Sequence, residues 1–135
     1  MQRTLFIVKP NSTEKNRIGA VINLLEEGGL RVAGLRMLRL QEKQAKKFYE
    51  VHKERPFYES LVRFMCSGPV VVGVLEGENA VERCRNIMGA TDPAKAEKGT
   101  IRALYGESIQ NNAIHGSDSD DNAAKEVSFF FPELG

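Results

Sequence analysis

Cysteine is scarce in this chain. Among 135 residues only Cys66 and Cys84 carry thiols, and they do not stand in CxxC spacing. That excludes a disulfide scaffold and a cysteine-based zinc site, and it suits a reducing cytoplasm. An excess of charge of either sign is also missing: 19 basic residues meet 18 acidic ones, for a net +1. Such a balance gives no support to a nucleic-acid coat or a membrane-surface role. Long apolar runs are absent too. The longest, Val70–Leu75, falls far short of the roughly 20 residues that span a bilayer. The short run Leu5–Val8 before Lys9 does not read as a secretory signal. The chain has 12 glycines, yet no two stand two positions apart, so GxGxxG is impossible. GxxxxGK[ST], HExxH and GxSxG are missing as well, which removes the common phosphate-cradling loops, zinc-protease helices and serine elbows.

What remains is an ordinary globular composition, 41% hydrophobic and 27% charged, long enough for a single domain over residues 1–135. Arg3–Lys9 reads as a buried strand with Leu-Phe-Ile-Val at its centre. Asn11-Ser-Thr-Glu14 predicts a helix start, with Asn11 as cap and Glu14 in the capping-box position. Ile18, Val21, Ile22 and Leu25 share a helical face, and Gly28-Gly29 stops that helix. Leu30–Leu40 follows as a strand. Ala45, Phe48, Tyr49 and His52 predict one helix, broken at Arg55-Pro56, and Phe57, Leu61, Phe64 and Met65 a second. Pro69–Leu75 is an apolar strand and Glu78–Met88 a helix with Val81, Cys84 and Met88 inward. Gly89–Gln110 is a long connection with a short helix near Thr100–Leu104; connections of that length are often functional. Ala113–His115 and Asn122–Phe131 complete the chain as a short strand and a last helix. Two βαβ units in succession predict an α+β sandwich: a ferredoxin-like βαββαβ fold with a four-stranded antiparallel sheet and extra helices.

The densest polar segment is Asn112-Ala-Ile-His115-Gly-Ser117-Asp-Ser-Asp-Asp121, between a strand end and a helix start. Ser and Asp there suit helix capping and the helix dipole. Glu126, however, falls on the apolar face marked by Ala123, Val127 and Phe130, and an inward carboxylate needs a partner. Either it is a satisfied buried glutamate, or it meets His115 and Ser117 and fixes the histidine's tautomer. In the second case the other ring nitrogen is left free to attack an electrophile. Lys9, Arg85 and Arg102 are scattered in sequence, but this fold can gather them at one end of the sheet, where three cations would suit a triphosphate.

Asn112-Ala-Ile-His-Gly-Ser-Asp-Ser119 closely resembles the active-site signature of the nucleoside diphosphate kinases. Thr4-Leu-Phe-Ile-Val-Lys-Pro10, Phe48-Tyr49 with Arg55-Pro56-Phe57, Ser67-Gly-Pro-Val-Val71, Arg85-Asn-Ile-Met-Gly-Ala-Thr-Asp-Pro93 and Gly99-Thr-Ile-Arg102 resemble that family too, so the likeness runs from about Arg3 to Phe131. Asn11 departs from the Asp that many members carry after Lys-Pro, and the chain ends soon after Phe131. The resemblance implies transfer of the terminal phosphate of a nucleoside triphosphate to a nucleoside diphosphate, by a ping-pong route through a phosphohistidine. By position, His115 would be the nucleophile, with Glu126 and Ser117 orienting it. Lys9, Tyr49 and Arg102 would surround the transferring group, and Arg85 and Thr91 would hold the inner phosphates. Asn112 and Lys9 would meet the ribose. Phe57 would stack on the base, with Leu61 and Ile109 nearby. Magnesium would be held mainly through the nucleotide and water. The resemblance also implies a cytoplasmic homo-oligomer of dimers built into a tetramer or hexamer. The alternative is a catalytically silent nucleotide-binding or scaffold module of the same fold. A nucleic-acid-binding ferredoxin-like domain is disfavoured, since the strands expected at Leu30–Leu40 and Pro69–Leu75 carry no aromatic residue.

Overall fold

Leu5, Phe6, Ile7 and Val8 are all fully buried, because their strand is covered on both faces. This is β1 (Gln2–Val8) of a computed structural model that describes residues 1–134. The other elements are α1 (Pro10–Thr13), α2 (Ile18–Glu27), β2 (Arg31–Leu38), α3 (Glu42–Phe48), a 3-10 turn at Glu50–His52 and α4 (Tyr58–Cys66). Then come β3 (Val70–Gly77), α5 (Ala80–Met88), a second 3-10 turn at Pro93–Lys95, α6 (Ile101–Tyr105), β4 (Ile114–Gly116) and α7 (Asp120–Phe130). The four strands pair antiparallel in the order β2-β3-β1-β4, which is the expected ferredoxin-like sheet.

Strand alternation divides the core in two. Leu5 and Ile7 join Val70, Val72 and Val74 on one face, under α3, α4 and α7. Phe6 and Val8 join Val71 and Leu75 on the other, under α2, α5 and α6. Gly73 pairs with Phe6 and leaves room for its ring, which any side chain at 73 would overlap. The site-bearing strand β4 has only three residues and holds to β1 through Ile7 opposite His115.

One local expectation fails. Asn11 and Glu14 do not cap a helix: Lys9 is the N-cap, Pro10 fills the first helical turn, and Asn11 lies inside α1. The backbone amides of Ser12 and Thr13 already donate to the Lys9 carbonyl, and Asn16 at φ 60° breaks the chain before α2 starts at Ile18. The Asn11 amide instead donates to the Asn111 carbonyl at 3.0 Å, tying α1 to the loop before β4. The last helix begins two residues earlier than expected, at Asp120, because the Ser119 hydroxyl accepts from the Asn122 amide. Phe57 stands just outside α4 as its N-cap.

Candidate active site

His115 sits at the centre of β4, and its side chain opens into a cleft of about 880 Å³. Strand alternation buries Ile114 and Gly116 behind it. Its Nε2 lies 2.7 Å from Glu126 Oε1, and the Ser117 hydroxyl donates to the same oxygen at 2.9 Å. Ser117 Oγ in turn accepts from the Leu5 backbone amide at 3.3 Å, so the chain of bonds is rooted in the central strand. The carboxylate expected on the apolar face of α7 therefore has its partners. An ionised Glu126 only accepts, so Nε2 carries the proton and Nδ1 keeps its lone pair.

Two arginines flank the histidine through its own strand. Arg102 donates to the Ile114 carbonyl at 2.8 Å, and Arg85 donates to the Gly116 carbonyl at 3.3 Å. Arg102 also reaches the Gly89 carbonyl at 3.2 Å, at the end of α5. Gly89 takes φ 88°, and a side chain there would run into Thr100, the residue whose hydroxyl caps α6. This left-handed turn aims the long connection back over β4 and delivers Thr91 and Arg102 to the cleft. Burial and the neighbouring Arg85 lower the Arg102 pKa to about 10, which leaves it a cation at neutral pH.

Lys9 follows β1 directly, and its ammonium donates to Asn112 Oδ1 at 2.9 Å and to the Gln110 carbonyl at 3.3 Å. Asn112 passes the connection on, its amide donating to the Thr91 carbonyl at 3.1 Å. Burial, helped by Arg102, pulls the Lys9 pKa down to about 7. Ala113, next to this cluster, is fully buried at φ 78°, in the left-handed region, where its carbonyl accepts from the Lys9 amide at 2.9 Å. Non-glycine residues are strained there, and such strain gathers at functional sites. Tyr49 is buried, and burial together with the Glu126 charge pushes its phenol pKa up, so it remains a proton donor. The Tyr49 hydroxyl and Arg102 Nε are both buried without a protein partner.

Every residue singled out from the sequence lines this one cleft except Ser117, which sits behind Glu126. Lys9, Tyr49, Arg85, Thr91, Arg102, Asn112, His115 and Glu126 gather with Phe57, Leu61 and Ile109. Phe57 and Ile109 are 46% and 62% exposed. Sequence reasoning misses two aromatic neighbours. The Phe48 ring meets His115 edge-on at 5.4 Å, and His52 packs between Tyr49 and Phe57. Their signal is a shared helical face, which reads as core.

The family described as "Nucleoside diphosphate kinase" matches residues 2–134. A nucleoside diphosphate kinase of a Nitratiruptor species is 58% identical, with 98% of this chain and 97% of that one covered. One from Chlamydia trachomatis serovar D is 60% identical, covering 97% and 93%. Among solved structures, the Aquifex aeolicus nucleoside diphosphate kinase superposes with a TM-score of 0.95 at 46% identity, covering 98% of this chain and 96% of that one.

Proposed function

The chain belongs to the nucleoside diphosphate kinase family, and on that premise we propose that phosphoryl transfer runs through His115 in two half-reactions. It is an enzyme that moves the terminal phosphoryl group of a nucleoside triphosphate to a nucleoside diphosphate. Nothing in the fold or the cleft favours the silent-module alternative. The proposal rests above all on the bond of Nε2 to Glu126 at 2.7 Å, which leaves Nδ1 as the free nucleophile.

In the first half-reaction the Nδ1 lone pair attacks the terminal phosphorus. An N–P bond forms as the P–O bond to the bridging oxygen breaks, and the nucleoside diphosphate leaves with that electron pair. The proton on Nε2 stays in place, and Glu126 offsets the positive charge that grows on the ring. A second nucleoside diphosphate then attacks the phosphohistidine through its terminal oxygen, and the N–P pair returns to Nδ1. Positioning and charge neutralisation do most of the work in such transfers. Lys9, Arg85 and Arg102 would neutralise phosphate oxygens, and Tyr49 would donate to the transferring group. Thr91 would hold an inner phosphate, and Asn112 with Lys9 would meet the ribose. Phe57 would stack on the base above Leu61 and Ile109. Stacking accepts every base, because each has a π face.

Among the described residues no three metal-ligating side chains converge. Magnesium would enter with the phosphates and water, with Asp118, which lines the same cleft as Arg85, as the carboxylate able to meet its water shell. Bound with the nucleotide, magnesium would supply further neutralisation of the phosphate charge. A homo-oligomer is supported by β2, which edges the sheet and exposes Leu35 and Met37 by 50% and 60%. Cytoplasmic residence is supported by two free cysteines, and no described helix is long and apolar enough to cross a membrane. The test is incubation with γ-labelled ATP and magnesium. An acid-labile, alkali-stable label should appear on His115 and vanish in a folded His115→Ala variant. Label that survives the substitution overturns the proposal.

A further inference from the structure

Phe57 is 46% exposed and stands outside α4, after a run of turns at residues 53–57. A ring so placed makes a poor platform unless something fixes its plane. Among the described residues the aromatic ring packed against it is that of His52, with centroids 5.6 Å apart and planes tilted by 55°. On its other side His52 stacks near-parallel on Tyr49, at 6.5 Å and 25°. Tyr49 is buried and meets His115 edge-on at 6.2 Å. His52 thus spans the gap between the buried wall of the transfer centre and the exposed ring at the base end. It does so from the 3-10 turn at Glu50–His52, where the His52 backbone amide donates to the Tyr49 carbonyl at 2.8 Å and sets the turn.

We infer that His52 is a positioning residue of the base subsite, holding Phe57 against Tyr49 so that the ring is already set when a nucleotide arrives. The inference rests on the reading of Phe57 as the stacking platform. Preorganisation of this kind acts on affinity, since it removes the entropy lost when a loose ring is ordered on binding. It leaves the rate of phosphate transfer from a bound nucleotide untouched. It also acts only on ligands that have a base.

The experiment measures phosphorylation of His115 by ATP under single-turnover conditions, and inhibition of that step by ADP and by inorganic tripolyphosphate. In His52→Ala, half-saturation by ATP and inhibition by ADP should weaken about three- to tenfold, the range of one aromatic pair. The saturating rate and the inhibition by tripolyphosphate should be unchanged, and the latter also reports an intact phosphate site. His52→Phe should restore wild-type affinity. Equal weakening toward ADP and tripolyphosphate, or a fall in the saturating rate, would show a merely structural role. Phe57→Ala is run in parallel to separate the two readings. If it weakens ADP and His52→Ala does not, the positioning role is wrong and the platform stands. If Phe57→Ala leaves ADP unaffected, the platform reading and this inference fall together.

Discussion

Lys9 should take up a proton when a nucleotide binds, and the uptake should depend on pH in a way fixed by its burial. In the free enzyme its pKa is about 7, so at pH 8 only about 0.1 of the molecules carry the ammonium. A polyphosphate beside it opposes the cost of burial and favours the charged form. A return toward the usual lysine value then means uptake of about 0.9 proton at pH 8 and about 0.1 at pH 6. Calorimetric titration with ADP and magnesium, in buffers of differing ionisation enthalpy, measures this as the slope of observed heat against buffer heat. The phosphates of the nucleotide titrate as well, so the quantity that matters is the difference between wild type and Lys9→Met. That difference should approach one proton at pH 8 and nearly vanish at pH 6. Equal slopes for the two proteins at pH 8 would refute both the depressed pKa and the placement of Lys9 against phosphate.

The same burial has a sign in stability. The unfolded chain holds the Lys9 proton to its usual 10.5, whereas the folded protein releases it near pH 7. Lys9 therefore destabilises the fold fully below about pH 7, and the penalty disappears as pH rises through 10.5. Net of the two hydrogen bonds lost, Lys9→Met should gain about 1–3 kcal/mol at pH 7, seen as a higher Tm, while phosphorylation collapses. Glu126→Gln keeps the shape but removes the charge facing the ring, and should slow His115 phosphorylation roughly 10- to 100-fold in rapid quench, with Tm little changed. Ser117→Ala deprives both the Leu5 amide and Glu126 of a partner, and should lower stability by about 1–3 kcal/mol in urea titration.

Much of this is readable in the chain because the signals are local. Leu5–Val8 announces a strand covered on both sides, and the burial of Ala123, Val127 and Phe130 makes Glu126 a carboxylate facing inward. The gathering of Lys9, Arg85 and Arg102 could be read only by way of the fold that two βαβ units imply, since contacts between distant stretches leave no periodic trace. Asn11 misleads because cap preference is a weak local bias, and the bond to Asn111 wins it for a tertiary contact. Phe48 and His52 escape notice for a related reason. An aromatic or histidine spaced for a helix face looks the same whether it meets the core or the rim of a cleft.

The bonds of Arg102 to the Ile114 carbonyl and of Arg85 to the Gly116 carbonyl mean that nucleophile and cations share a single datum. A displacement of this strand carries both guanidinium groups along with the imidazole. Substitutions that tilt or slide outlying helices would thus translate the reacting groups as a set, leaving their mutual spacing untouched. A protein built this way can drift widely in its outer shell and still keep its turnover.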